Sequence, residues 1–150
     1  MLSKKAKYAI RALIVLGENY DKPPMKISAI AEKGHIPKKF LEQILLLLRN
    51  SGLLSSKKGA HGGYNLSKDS REIYIAQIMR ITDGPIAMVP CVSLNFYSRC
   101  TECQEEKTCG IRDVFTDVRD STLRILAETS IFDVIQRENQ LKGNKTDFWD

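Results

Sequence analysis

No stretch of this 150-residue chain approaches the ~20 apolar residues that a membrane-spanning helix needs, so no such helix is expected. The start, "MLSKKAKYAIRALIVLGENY", sets charge before an apolar run but has no small-residue cleavage site. Its apolar residues continue as an amphipathic helix, which argues against a secretory signal. Repeats and low-complexity tracts are missing. The phosphate-loop pattern G-x-x-x-x-G-K-[ST] is missing too, and the glycine-rich stretch near residue 60 does not open a helix, so a phosphate-loop reading of it is weak. Histidine is scarce, with two in the chain, and His61 stands too far along the sequence from any cysteine to make a good metal ligand. Cysteine is confined to four residues, Cys91, Cys100, Cys103 and Cys109. The chain is long enough to bury a core without disulfides. A cytoplasmic protein with reduced thiols is therefore expected, in which clustered cysteines suggest a metal or redox chemistry.

What is present is an uneven charge. Residues 1–70 carry 13 Lys and Arg against 5 Asp and Glu, while residues 71–150 carry 10 against 13. A basic front and a mildly acidic back suggest a polyanionic partner for the front alone. Segregated solubility charge is the plainer alternative.

Apolar spacing organises the chain. Ser3 to Asn19 reads as a helix with Tyr8, Ala9, Ala12, Leu13, Val15 and Leu16 on one stripe. "ENYDKPP" breaks it. A short helix is expected over about Lys26–Glu32, with Gly34 in the tight turn that follows. Pro37 opens a third helix, "PKKFLEQILLLLRNSG", whose buried side is Phe40, Leu41, Ile44, Leu45, Leu47 and Leu48, and Gly52 stops it. "LLSSKKGAHGGYNLS" carries a hairpin signal. "EIYIAQIMRITDG" predicts another short helix ending at Gly84. The cysteine segment has no sustained period and reads as a loop. Ile111, Val114, Phe115, Val118, Thr122, Ile125 and Leu126 then recur at helical steps, giving a helix of ~five turns with one apolar face. Ser130 is placed to cap a last short helix.

Three helices, a sharp turn between the second and third, and then a hairpin make the order of a winged helix-turn-helix. The end of the third helix would face outward with Lys38 and Lys39 suited to phosphate or guanine, Gln43 to adenine and Glu42 to cytosine. A merely solvated helix face is the competing reading. The hairpin favours DNA, since Lys57, Lys58 and His61 sit on a glycine-hinged tip, where Gly62 and Gly63 permit close approach to a backbone or groove.

These stretches, namely "SKKAKYAIRAL", "ISAIAEKGHIPKKFLEQILLLLRNSGLLSSKKGAHGGYNLS" and "IYIAQIMRITDG", resemble the Rrf-two family of bacterial winged-helix transcription regulators. Phe40-Leu41-Glu42-Gln43 matches the family's "YLEQ"-like start of the recognition helix, and Gly62-Gly63-Tyr64 its wing motif. The likeness covers about residues 1–137. It implies a mainly α fold: a winged helix-turn-helix with a two-stranded wing and a long C-terminal dimerisation helix. The expected units are residues 1–84 for DNA binding, 85–109 as a sensor loop, 110–137 for dimerisation and a short terminal helix, and 138–150 as a flexible tail. Expected partners are double-stranded DNA with a pseudo-palindromic operator and a second copy of the chain. Ser3, Lys4, Lys5, Lys7, Tyr8 and Phe40 join the DNA-contacting set. Independently, the apolar face at 110–129 has little chain left to cover it and needs a partner surface.

Sensing members of that family hold an iron–sulfur cluster with three loop cysteines, which Cys91, Cys103 and Cys109 match. The histidine that completes the site in iron–sulfur-sensing members falls at Arg112. Arginine stays protonated and has no lone pair to give. Cys100 is an additional thiol. Four thiolates suit a 2Fe–2S cluster or a tetrahedral zinc. A disulfide switch between Cys100 and Cys103 or Cys91 and Cys109, or four unligated thiols, complete the alternatives. Glu102, Glu105 and Glu106 would discourage a reactive lone thiolate. The whole reads as a regulator that senses iron–sulfur, redox or nitrosative status, not an enzyme. A thiol oxidoreductase built on Cys100-x-x-Cys103 lacks the usual strand–helix alternation. A winged helix that binds protein instead of DNA is the other rival.

Overall fold

The computed structural model describes residues 2–143. In chain order it contains α1 (Lys4–Glu18), α2 (Ile27–Gly34), α3 (Lys38–Asn50), β1 (Leu54–Lys57), β2 (Gly63–Leu66), α4 (Ile75–Thr82), α5 (Gly110–Glu128) and α6 (Ile131–Gly143). Short 3-10 turns lie at Ser70–Glu72, Pro90–Val92 and Glu106–Thr108.

α1 is the central post. Ala12, Leu13, Ile14, Val15 and Leu16 are all buried, because α2, α3, α4 and α6 pack around it. A helix surrounded on most sides is apolar over most of its circumference. α3 docks by Leu41, Ile44, Leu45 and Leu48. Phe40, expected on that buried side, is instead 54% exposed. It lies about 100° around the helix from Leu41, at the edge of the apolar stripe. The turn between α2 and α3 also differs from expectation. His35 takes the left-handed conformation at φ 49°, while Gly34 is the last residue of α2. A Cβ on Gly34 would stand 2.8 Å from Ile36 Cδ1, so this glycine serves packing.

The wing is an antiparallel pair with Leu54 opposite Leu66 and Lys57 opposite Gly63. It is stitched to the segment before α2. Met25 N donates to Tyr64 O at 3.0 Å and Tyr64 N donates to Met25 O at 2.8 Å, and Asn65 Nδ2 donates to Lys22 O at 3.0 Å.

The C-terminal half leaves and rejoins this head. Tyr74 and Ser130 form an isolated bridge, with Ile131 N donating to Ile73 O at 2.8 Å. Ser130 caps α6 as expected: its Oγ accepts from Asp133 N at 3.1 Å, and Asp133 Oδ2 accepts from Ser130 N at 2.8 Å. This is a reciprocal cap. α6 buries Ile131 and Ile135 and runs on to Gly143, so residues 138–143, expected as flexible tail, are helical. Gln136, Arg137, Glu138, Gln140, Leu141 and Lys142 are strong helix formers, and Lys142 pairs with Glu138 one turn back at 3.9 Å. The remainder of that expected tail, 144–150, lies outside the described residues.

Candidate nucleic-acid interface and cysteine cavity

The outward end of α3 begins straight after Pro37 with no side-chain cap on its first N–H groups, which leaves donors facing outward for an anion. Lys38, Lys39, Glu42 and Gln43 are exposed there beside Phe40. The buried leucines anchor the helix from behind, so the five exposed side chains stand on a rigid support. Lys57, Lys58 and His61 are exposed on the wing tip.

Between α2, α3 and the wing lies a cleft of about 450 Å³ that Lys38, Glu42, Lys57 and Lys58 share with Lys26, Ser28 and Arg49. The last three were not singled out from the sequence. Lys26 is the N-cap residue of α2, and Arg49, near the end of α3, reaches Ser56 Oγ on β1 at 3.4 Å. A basic residue at a helix start and another at a helix end were the available signals. Only the fold brings them to one cleft.

The wing glycines have a structural duty. A Cβ on Gly62 would stand 2.2 Å from Lys57 O, and one on Gly63 would stand 2.3 Å from Met25 O at φ 150°. Close backbone approach within the chain already demands glycine at both positions.

At the start of α1, Ser3 Oγ accepts from Ala6 N at 3.0 Å. Ser3 N donates to Asp83 Oδ2 at 3.0 Å, and the Ser3 hydroxyl donates to Asp83 Oδ1. Partial burial raises the Asp83 carboxyl, but these Ser3 bonds outweigh it and hold it below the ordinary carboxylate range. Lys4, Lys5 and Lys7 are exposed, while Tyr8 is half-buried and sits against Phe40 with ring centroids 6.1 Å apart.

All four cysteines line one cavity of about 390 Å³, with Arg112 on its wall. Cys91 is buried, and Cys100, Cys103 and Cys109 are half-buried with free thiols. Two arginines on the inner face of α5 grip the turn that carries Cys91. Arg112 Nε donates to Cys91 O at 3.4 Å, and Arg119 Nη1 donates to Val92 O at 2.5 Å. Seven residues apart, they are about two helical turns apart on one face. Tyr97 OH donates to Glu106 Oε1 at 2.6 Å, tying the loop across itself.

The thiols differ. Cys109 is the N-cap residue of α5, and the Arg112 N–H pulls its thiol below the ordinary value despite desolvation. The Cys103 thiol, the Ile111 N–H and the Arg112 charge assist. Burial and donation to Cys109 push Cys103 up, with Glu106 adding to the rise. Glu106 thus acts on Cys103, while the start of α5 acts on Cys109. Cys103 lies beside both Cys109 and Cys100, with its N–H donating to Cys100 O at 3.5 Å. Among the described residues, no three His, Cys, Asp or Glu side chains converge into a metal-holding group.

α5 has no buried residue along its length. Ile111, Val114 and Ile125 are exposed, Phe115, Val118 and Thr122 are half-buried, and Leu126 packs against the head's own core. No helix among the described residues is long and apolar enough to cross a membrane.

The helix-turn-helix, its stitched wing and the basic cleft between them define a winged-helix DNA-binding transcription regulator. The family model for Rrf2, described as an iron-dependent transcriptional regulator, matches residues 2–137, and the chain belongs to that family. A putative HTH-type regulator of Rhodobacter capsulatus, named rrf2-like, is 39% identical over 142 residues, covering 93% of this chain and 95% of its own. The HTH-type regulator IscR of Photorhabdus laumondii is 27% identical, covering 93% and 82%. The solved structure of CymR, named the global cysteine regulator of Bacillus subtilis, superposes with a TM-score of 0.76 at 28% identity, covering 91% of this chain and 97% of that one. These relatives are named as regulators, in keeping with a regulator and not an enzyme.

Proposed function

We propose that the protein acts in the cytoplasm as a homodimer on a pseudo-palindromic operator, and that its four-cysteine cavity is the sensor that sets DNA affinity. α3 reads bases, while the wing, the start of α1 and the cleft bounded by Lys26 and Arg49 hold the backbone. The exposed stripe of Ile111, Val114 and Ile125 on α5 meets its twofold mate. The carrying observation is that all four thiols line one cavity, walled by the loop from Val89 to Cys109 and by Ile111 and Arg112 at the start of α5, the helix whose exposed stripe the chain leaves uncovered.

Four thiols fit a 2Fe–2S cluster in donor chemistry, with Cys91, Cys100, Cys103 and Cys109 as ligands and Arg112 excluded. The thiols would close around the metal as it binds, which is how many metal sites form. A bound cluster would supply a centre whose gain, oxidation or loss signals iron, redox or nitrosative status. Arg112 and Arg119 hold the turn bearing Cys91 to α5, so a change at that turn is passed to the dimer helix.

Anaerobic purification, metal and sulfide analysis and an absorption spectrum test this. A coloured protein with about two irons and two sulfides per chain is expected, with DNA affinity altered in Cys→Ala variants. A colourless, metal-free protein whose affinity ignores those variants would sink the sensor. A second reading, a thiol–disulfide switch, draws on the Cys103–Cys109 contact. It predicts a metal-free protein whose affinity changes on oxidation, with that pair recovered by peptide mapping. Zinc without iron would mark the site as structural.

A further inference from the structure

Phe40 is exposed at the reading end of α3 although four neighbours on that helix are buried. Its ring is not loose. Tyr8 reaches it from α1 at 6.1 Å and an interplanar angle of 34°. With Ile44, these rings wall a cavity of about 180 Å³ whose other lining residues are Lys4, Lys5 and Gln43. The pocket thus combines an aromatic and aliphatic wall with two ammonium groups and one carboxamide.

Among the base edges in a major groove, only thymine offers a carbon group, its C5-methyl. Phenylalanine carries no hydroxyl, so its ring can offer a base edge nothing but carbon. Lys4 and Lys5 complement the phosphates that flank a base in the groove. Gln43, three residues from Phe40 and on the same side of the helix, is suited to an adenine N6 and N7. We propose that this pocket receives the C5-methyl group of an operator thymine, with Phe40 as the specificity-determining contact and Tyr8 as its backing. The inference rests on α3 being the recognition helix. The same methyl occurs on 5-methylcytosine, which the test includes.

Operators selected from random DNA by the full-length protein would be rebuilt with each thymine replaced singly by uracil, which removes only the methyl. Binding would be followed by fluorescence anisotropy. One thymine per half-site is expected to lose about fourfold in affinity on this change, the worth of one buried carbon. Phe40→Ala should bind the thymine and uracil operators equally, with its salt dependence unchanged. Lys5→Ala should keep the uracil effect and flatten the salt slope by about one. Cytosine placed at the sensitive position should gain affinity when methylated at C5. The pocket is misassigned if wild-type protein has no uracil-sensitive thymine, if Phe40→Ala keeps the sensitivity, or if methylation brings no gain. If no sequence is enriched at all, the reading of α3 fails first and takes this inference with it.

Discussion

The head and α5 solve the same problem in opposite ways. In the head, Leu13, Leu16, Ile30, Leu41, Leu45 and Leu48 are at most 1% exposed. In α5, across 19 residues, nothing is buried, and Ile111 is 68% exposed. Both regions have apolar residues at helical spacing, so periodicity alone does not say whether a stripe finds its partner inside the chain. The difference lies in what the topology supplies. α1 is enclosed by four helices, whereas α5 contacts α4 and the turn at Pro90–Val92 and turns its other side outward. α6 then returns to the head, where a Cβ on Gly17 would meet Ile135 Cδ1 at 3.0 Å. The cysteine loop and α5 form a bracket fixed to the head at both ends.

Core truncation should break the contrast most strongly. Leu45→Ala or Leu48→Ala should cost ~2–5 kcal/mol in denaturant unfolding. Val114→Asp on α5 should leave the circular dichroism spectrum intact and shift sedimentation towards the monomer. Unfolding by Val114→Asp would show that α5 belongs to the chain's own core after all. Gly63→Ala, which forces a side chain against Met25 O, should cost ~1–3 kcal/mol in the same assay while leaving the proposed α5 pairing untouched. Ser130→Ala removes the cap of α6 and should cost ~1 kcal/mol.

The smallest effect concerns acid. Asp133 is held low by the Ser130 hydroxyl and amide, as Asp83 is by Ser3 against the pull of its partial burial. A carboxyl lowered on folding stabilises the native state above the unfolded value of ~3.9, and that contribution is lost as pH falls through the folded value. Stability should therefore decline below about pH 4, and Asp83→Asn should flatten the decline. A titration of unfolding midpoints that kept its full slope in Asp83→Asn would remove Asp83 from the account.

The helices of the head and the wing were legible because their signals are local: leucines at three- and four-residue steps, Gly52 ending α3, lysines on a glycine-rich tip. The four-cysteine grouping was legible for the same reason. Contacts between distant residues were not. Ser3 and Asp83 are 80 positions apart, and nothing in either neighbourhood announces the other. Gly62 and Gly63 looked like an allowance for a ligand until their distances to Lys57 and Met25 gave an internal cause. Arg112 read only as a missing histidine, whereas in the fold it is one of two side chains holding the turn of Cys91. Phe40 sits at the edge of its helix's apolar stripe, an edge that is blurred in sequence, and the position of α1 decides which side of it the ring falls on.

The stitching of the wing has a consequence for the DNA this protein can accept. Two Met25–Tyr64 hydrogen bonds and the Asn65–Lys22 bond lock the base of the hairpin to the chain that enters α2, so wing and helix-turn-helix form a single stamp with one footprint. A stamp of that kind has no adjustable gauge. In the proposed homodimer the length of each half-site would be set within one chain, and any tolerance for different spacer lengths would come from how the two stamps are mounted.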